Sequence, residues 1–429
     1  MLPSQVAVLV AGGGPAGFMA AIAAAEAGVG DVWLLEATPE PLQKVRISGG
    51  GRCNVTHGCW DPRALVGHYP RGGRALLGPF SRFATGDAVA WFHDHGLELV
   101  EESDGRLFPR SNRSASVIDC LRRAAAVAGV GLVCGDGLAA AEALAAGGFH
   151  LGLRSGGQVW AGRLVLATGS HPSGRRLAAS LGHSLVPPVP SLFTLALAHH
   201  PLRDLAGVAA DPVGLELLPP ADQPAPRGSR QLQCGPVLIT HWGLSGPATL
   251  RLTAFGARLL RQWGYRGQVR VDWSGGRRLV DVEALLQATR LEQGRRQVAT
   301  ARLWPGLSRR LWQHLLAAVG VAPEQRWADL SRRQQQDLAA ALTASTYAIS
   351  GRGPFGEEFV TAGGVALGEV NLATMASRLC PGLHLVGELL DVDGVTGGFN
   401  FQHCWSSGWL AGQALAAPAA AGSFDLFKD

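Results

Sequence analysis

The sequence predicts an α/β fold built on a parallel sheet that is begun at the N-terminus, interrupted by a large insertion, and completed near the C-terminus. Three observations predict it. A buried-strand pattern, a glycine cluster and an Ala-rich helical pattern open the chain in the order β-α-β. At Val186-Pro187-Pro188-Val189-Pro190 the character changes to β-like and then helical. After Pro354 the glycine-rich strand-and-turn character returns. The expected division is 1–186 and 356–429 as two parts of one domain, with 187–355 inserted.

Val6–Val10 is an apolar run ending in glycine, a buried parallel strand. Pro15–Ala27 reads as a helix closed near Gly28, and Asp31–Leu35 as a second strand ending at Glu36. Lys44–Asn54 reads as a glycine-rich loop. Ser81–His95 and Ala115–Ala128 carry amphipathic helical spacing. Phe149–Arg154 and Gln158–Ala161 flank Ser155-Gly156-Gly157, a hairpin signal, and Leu164–Ala167 is a further buried strand before Thr168-Gly169. In the insertion a β part spans about 187–278, with a polar loop at Pro219–Arg230. A helical part spans about 279–346, with apolar periodicity over Val280–Leu291, Arg309–Val319 and Arg332–Leu342. Leu383–Val386 is a late strand, and an Ala-rich helix follows from about Cys404.

Composition narrows the class. A chain 47% hydrophobic and 17% charged is neither disordered nor fibrous, and its 58 glycines follow no three-residue period. The net charge of +5 is almost all arginine, since Lys44 and Lys428 are the only lysines. The arginines are scattered along the sequence, so no nucleic-acid partner is expected. Seven cysteines without a C-x-x-C exclude a disulfide framework and a zinc site, and fit a cytoplasmic setting. Ala16–Val29 and Cys404–Ala421 are broken by Glu26, Gln413 and Pro418, so no membrane span is expected, and the early glycine motif leaves no room for a signal peptide.

Gly12-Gly13-Gly14-Pro15-Ala16-Gly17 fits G-x-G-x-x-G between a strand and a helix. Gly12 permits the tight turn, Gly14 lets backbone approach a pyrophosphate, and Gly17 lets helix pack on strand. Pro15 suits the first helical turn, and Ala16 follows it at a helix start whose free N–H groups attract phosphate. Glu36 ends the next strand 19 residues after Gly17, the spacing of a carboxylate that takes ribose hydroxyls. An acid there disfavours a 2′-phosphate, leaving FAD or NAD. The late segment favours FAD: Gly387-Glu388, then Val395-Thr396-Gly397-Gly398-Phe399-Asn400 before a helix, has the order of an acid at a ribityl chain and a helix start under the flavin ring. Ala167-Thr168-Gly169 resembles the A-T-G strand end of two-dinucleotide-fold flavoproteins. Lys44–Asn54, with Ser48, Gly49, Arg52 and Asn54, can wrap a planar ring through backbone amides. Leu138 is counted with these cofactor-binding candidates.

Lys44–Thr56, Gly105–Arg110, Thr240–Ala248, Thr361–Val365 and Gly387–Gly412 carry a family resemblance. The chain resembles the bacterial NAD(P)/FAD-dependent oxidoreductases often called aminoacetone-oxidase-like flavoproteins, which include a bile-acid Δ-reductase type. The resemblance implies a split two-dinucleotide-type (Rossmann) FAD domain with an inserted substrate domain, part β-barrel and part helical. It implies FAD contacts at Glu36, Lys44, Ser48, Gly49, Asn54, Gly387, Glu388 and Gly397–Asn400. The sequence departs from the family pattern at His57, Ala376, Arg378 and Phe399 and in a shortened stretch after Gly169.

The expected activity is FAD-dependent oxidation or reduction of a small organic substrate. An oxygen-using amine oxidase and a flavin-binding RNA-associated protein are the alternatives. No second G-x-G-x-x-G follows, so NAD(P)H docks transiently or oxygen is the partner. Cys53 and Cys59 are spaced wrongly for a flavin disulfide reductase. His241 is the candidate proton donor, with a structural histidine as the competing reading. His93 and His95 read as surface residues, and Thr240–Ala248 is expected to approach the flavin. Oligomeric state is not legible in the sequence.

Overall fold

The structure is a computed structural model describing residues 2–223, 230–301, 303–353 and 360–416. The chain divides into two compact units, Met1–Pro188 with Thr361–Asp429, and Val189–Val360.

In the first unit Gln5–Ala11 is central among five parallel strands. Val32–Glu36 and then Gly131–Cys134 lie on one side, Gln158–Leu166 and then Leu383–Leu385 on the other. Val8, Leu9 and Val10 are fully buried, as expected of a parallel strand covered on both faces. The late strand joins the sheet by pairing Leu383 with Leu164. The first helix, Pro15–Glu26, is buried from Pro15 to Ala24. The last helix, Phe399–Ala416, packs on it through two glycines. A Cβ at Gly408 would lie 2.5 Å from Ala16 O, and one at Gly412 would lie 2.5 Å from Ala23 Cβ. Glycine inside a helix costs about 1 kcal/mol against alanine; here it permits the closest approach of the two helices.

Some elements differ from the expectation. Gln158–Leu166 is one continuous strand, not two, because Gly162 stays in register where a Cβ would meet Ala7 O at 3.0 Å. The helix expected over Ser81–His95 begins at Thr85, after a separate helix Gly73–Phe80. Asp87 starts the second by accepting the Ala84 N–H at 2.7 Å. The last helix starts at Phe399 rather than Cys404.

In the second unit six antiparallel strands close a barrel in the order Leu195–Leu197, Gly243–Ser245, Gln231–Ile239, Ala209–Leu218, Gly267–Asp272 and Ser345–Arg352. Alternate residues Val213, Leu215 and Leu217, Val237 and Ile239, and Val269 and Val271 are buried. Helices Pro247–Phe255 and Ala257–Gln262 occupy part of the stretch that reads as β-like. Leu279–Glu292, Arg309–Ala318 and Arg332–Ala344 fall in sequence between the fifth and sixth barrel strands, and their segment buries Trp304, Trp312 and Trp327. Each buried indole removes about 200 Å² from water, roughly 5 kcal/mol of gross stabilisation. The loop Pro219–Arg230 lies partly outside the described residues. Among those described, no helix is long and apolar enough to cross a membrane.

Candidate functional site

The first glycine turn contains two kinds of glycine. Gly12 has φ +117°, and its Cβ would lie 2.5 Å from Ala167 O. A Cβ at Gly17 would lie 1.9 Å from Gly12 O. The protein's own packing therefore requires both. A Cβ at Gly14 would meet nothing within 4 Å, and its backbone is one any residue adopts. Gly14 keeps open the space before the first helix, which starts at Pro15 with no side-chain cap and no acid in its first turn. The helix's positive end is therefore not neutralised by a side chain of its own first turn. Glu36 sits at the same turn, accepting the Gly13 N–H at 2.7 Å and the Thr38 N–H at 2.8 Å. Leu138 opens the strand Leu138–Ala143 and is buried. It lies near the end of the Glu36 strand, since a Cβ on the preceding Gly137 would lie 3.0 Å from Ala37 Cβ.

Ala167 donates its N–H to Ala11 O at 2.8 Å, which brings Thr168 and Gly169 beside the first turn. Thr168 Oγ1 is buried without a hydrogen-bond partner. Lys44 Nζ lies 2.5 Å from Glu388 Oε2 and 3.2 Å from Ser170 Oγ, so three distant segments meet at one point. Gly387, with φ +66°, touches the first helix; its Cβ would lie 2.8 Å from Ala16 Cβ. The Gly387 N–H donates to Ser407 Oγ at 3.0 Å, and His403 Nε2 donates to Gly387 O at 3.2 Å. Burial pushes His403 down to about 4, so it is the neutral ring that donates.

The segment read as a loop is helical over Gln43–Gly51, with a break where Ser48 is extended and Gly49 and Gly50 are left-handed. Ser48 Oγ donates to Val45 O at 2.9 Å. Asn54 is buried, and its Oδ1 has no partner. The Arg52 guanidinium lies 3.9 Å from the Phe108 ring centroid and is bound by Glu102 and Asn112, so its charge is engaged within the protein. Burial raises the Cys53 thiol to about 12, and Cys53 and Cys59 are both free, so neither supports a redox pair.

The last glycine turn is packed from all sides. A Cβ at Gly398 would lie 2.7 Å from Thr56 O, and one at Gly397 would lie 3.0 Å from the Phe399 ring. Phe399 stacks on His68 at 4.1 Å and on His57 at 4.8 Å between centroids. Asn400 closes the turn, accepting the Gly394 N–H at 2.8 Å and donating to Gly394 O at 2.9 Å. Arg71 pairs with the fully buried Asp393 just before it. His68 and Arg71 carry no local sequence signal for this place; only the L-D-V-D-G stretch containing Asp393 hints at it.

His241 stands in the second unit, exposed at the tip of the turn joining Gln231–Ile239 to Gly243–Ser245. Thr240 Oγ1 accepts the N–H groups of Trp242 and Gly243 at 3.3 and 3.2 Å and fixes that turn. His93 is exposed as expected, whereas His95 stacks on Trp91 at 3.9 Å and meets Glu26 Oε1 at 2.8 Å.

The first unit thus holds an open helix start at Gly14, a carboxylate at the adjoining strand end, and orphaned buried oxygens on Thr168 and Asn54. These features suit a dinucleotide with a polar ring system, and the residues present fit FAD. The fold with its barrel-bearing second unit is that of an FAD-dependent oxidoreductase. Residues 6–414 match the HI0933-like protein Rossmann domain, and the chain belongs to that family. It is 33% identical to the 3-dehydro-bile acid Δ(4,6)-reductase of Clostridium scindens, over 95% of this chain and 98% of that one. It is 30% identical to the ribosomal RNA dihydrouridine synthase of Escherichia coli, again over 95% and 98%. Among solved structures, 3-ketosteroid Δ1-dehydrogenase from Sterolibacterium denitrificans shares the fold at 11% identity, with a TM-score of 0.53 over 96% of this chain and all of that one.

Proposed function

We propose that the protein is an FAD-dependent reductase of a carbon–carbon double bond conjugated to a carbonyl, fed by NAD(P)H in the cytoplasm. The observation that carries this reading is the 33% identity, along nearly all of both chains, to a relative named as a Δ(4,6)-reductase of a 3-dehydro compound. In this reading Gly12, Gly14, Pro15, Ala16 and Gly17 hold the pyrophosphate and Glu36 the ribose. Lys44, Ser48, Gly49 and Asn54, with Ala167–Gly169, Gly387–Glu388 and the Gly397–Asn400 turn, hold the ribityl chain and ring. Once reduced by NAD(P)H, bound FAD would supply two electrons as hydride. The chain orients the substrate so that its β-carbon receives that hydride and its α-carbon a proton, for which His241 is the donor.

The test is anaerobic stopped-flow spectroscopy. NADH or NADPH is expected to bleach the flavin, and a conjugated enone to restore its colour without oxygen. Bleaching by an amine alone, with recovery only in oxygen, overturns the reading in favour of an amine oxidase. His241→Ala is expected to slow enone turnover at least tenfold, about 1.4 kcal/mol of barrier, with flavin content unchanged. A smaller loss makes His241 structural.

A second reading applies the same chemistry to a uracil ring in RNA. It is favoured by charge: residues 189–360 hold 20 basic and 13 acidic residues, a net +7, while the rest of the chain is net −2.

A further inference from the structure

We propose that the helical part of the second unit is a docking surface for structured RNA, centred on Arg295, Arg296 and Arg326. This rests on the uracil reading above. Residues 277–344 hold eleven arginines and six acids, a net +5 equal to that of the whole chain. Arginine is enriched here, eleven in 68 residues against 36 in the 429 of the chain, while the acids keep their average frequency, six in 68 against 33 in 429.

Folding brings arginines from two segments together. Segments 294–298 and 325–328 pair as a short antiparallel ladder. The Ala328 N–H donates to Gly294 O at 3.0 Å, the Trp327 N–H to Arg296 O at 3.0 Å, and the Val298 N–H to Gln325 O at 2.9 Å. Arg290 reaches the same ladder, donating to Ala328 O at 3.1 Å. Arg295, Arg296 and Arg326 are exposed on it. Glu292, Glu324 and Asp329 are exposed on the same elements, yet no ion pair joins them to these arginines among the described residues. The ladder is anchored from beneath. Trp327 and Val298 are fully buried, and Trp312 Nε1 donates to Val298 O at 2.9 Å. Guanidinium forks held on a rigid base suit bidentate contacts to successive phosphates. Leu291 is exposed four residues before Arg295, so anionic vesicles are the control for a lipid surface.

The test uses the holoenzyme and a fluorescein-labelled rRNA hairpin in an anisotropy titration across salt concentrations. Wild type is expected to bind with affinity that falls steeply as salt rises. The triple variant Arg295→Gln/Arg296→Gln/Arg326→Gln is expected to bind at least tenfold more weakly, with a slope shallower by about two to three, and with full FAD content and full enone reduction. Unchanged RNA binding in the variant overturns the surface, as does wild-type binding to anionic vesicles but not to the hairpin. Dihydrouridine formation, scored separately by mass spectrometry, tests the uracil reading. Arginine-dependent binding without dihydrouridine keeps the surface and sinks that reading; dihydrouridine formed equally by the variant does the reverse.

Discussion

The glycine turn before the first helix and the one before the last helix look alike in sequence and are built differently. In the first, the packing demands Gly12 and Gly17 but leaves Gly14 facing open space. In the last, both Gly397 and Gly398 are wedged against Phe399, His57 and Thr56, and the turn is braced by Asn400 and by the Arg71–Asp393 pair. One turn reserves room for something outside the chain; the other is held in shape by the chain itself. A glycine motif alone therefore does not reveal which glycine serves a ligand. Within the motif, the empty Cβ position marks Gly14 as the glycine that the chain's own packing does not require.

Gly17→Val breaks the first turn most severely. A side chain 1.9 Å from a backbone oxygen has no relief inside the buried helix, and loss of folded protein is expected by circular dichroism. If the variant folds, the close approach is not essential. Asp393→Asn attacks the brace of the last turn by removing the charge that faces the buried Arg71. It is expected to cost about 3–5 kcal/mol in urea unfolding, and a loss under 1 kcal/mol would make the brace dispensable. Gly14→Val sharpens the contrast. FAD affinity is expected to fall at least a hundredfold, about 2.7 kcal/mol, while the apoprotein melts within a few degrees of wild type. Normal flavin content would mean that FAD does not use the space before the first helix.

Acid reads the region behind the last turn. His403 and His384 are pushed down to about 4 by burial, below the ordinary 6.5 of an unfolded chain. Between those values the unfolded state binds protons that the folded state refuses. Stability is therefore full above pH 6.5 and falls as pH drops, by about 1.4 kcal/mol per pH unit for each ring, levelling below about 4. His403→Gln is expected to flatten the pH dependence of the urea midpoint, and an unaltered slope would count against it. The smallest effect belongs to Lys44, which bonds Glu388 and Ser170. With Glu388 at 2.5 Å already offsetting its charge, and Lys44 itself half-exposed, Lys44→Met is expected to lower the flavin midpoint potential by less than about 20 mV, under 1 kcal/mol. A large drop in spectroelectrochemistry would mean that the cation acts unshielded.

Local rules made much of this legible. The β-α-β opening, the Ser155-Gly156-Gly157 hairpin and the three helices of 279–344 follow from period and punctuation. Errors arose where tertiary contact overrides a local cue. Gly162 looks like a break and is a close approach within a strand. Gln43–Gly51 looks like a loop because its helix is kinked at the glycines. The strand Ser345–Arg352 follows a helix with no glycine or proline between them, so nothing marks where the barrel resumes. The stack of His57, His68 and Phe399 and the Arg71–Asp393 pair join residues more than three hundred positions apart, and no window of sequence contains them.

The packing of Gly408 and Gly412 onto the first helix also sets an order of events during synthesis. The first helix leaves the ribosome long before the surface it needs for burial, Phe399–Ala416, is made. Until the last helix emerges, the alanine face of Pro15–Glu26 waits uncovered beside a sheet still lacking Leu383–Leu385. A nascent chain stalled before Phe399 is therefore expected to be colourless in the presence of FAD.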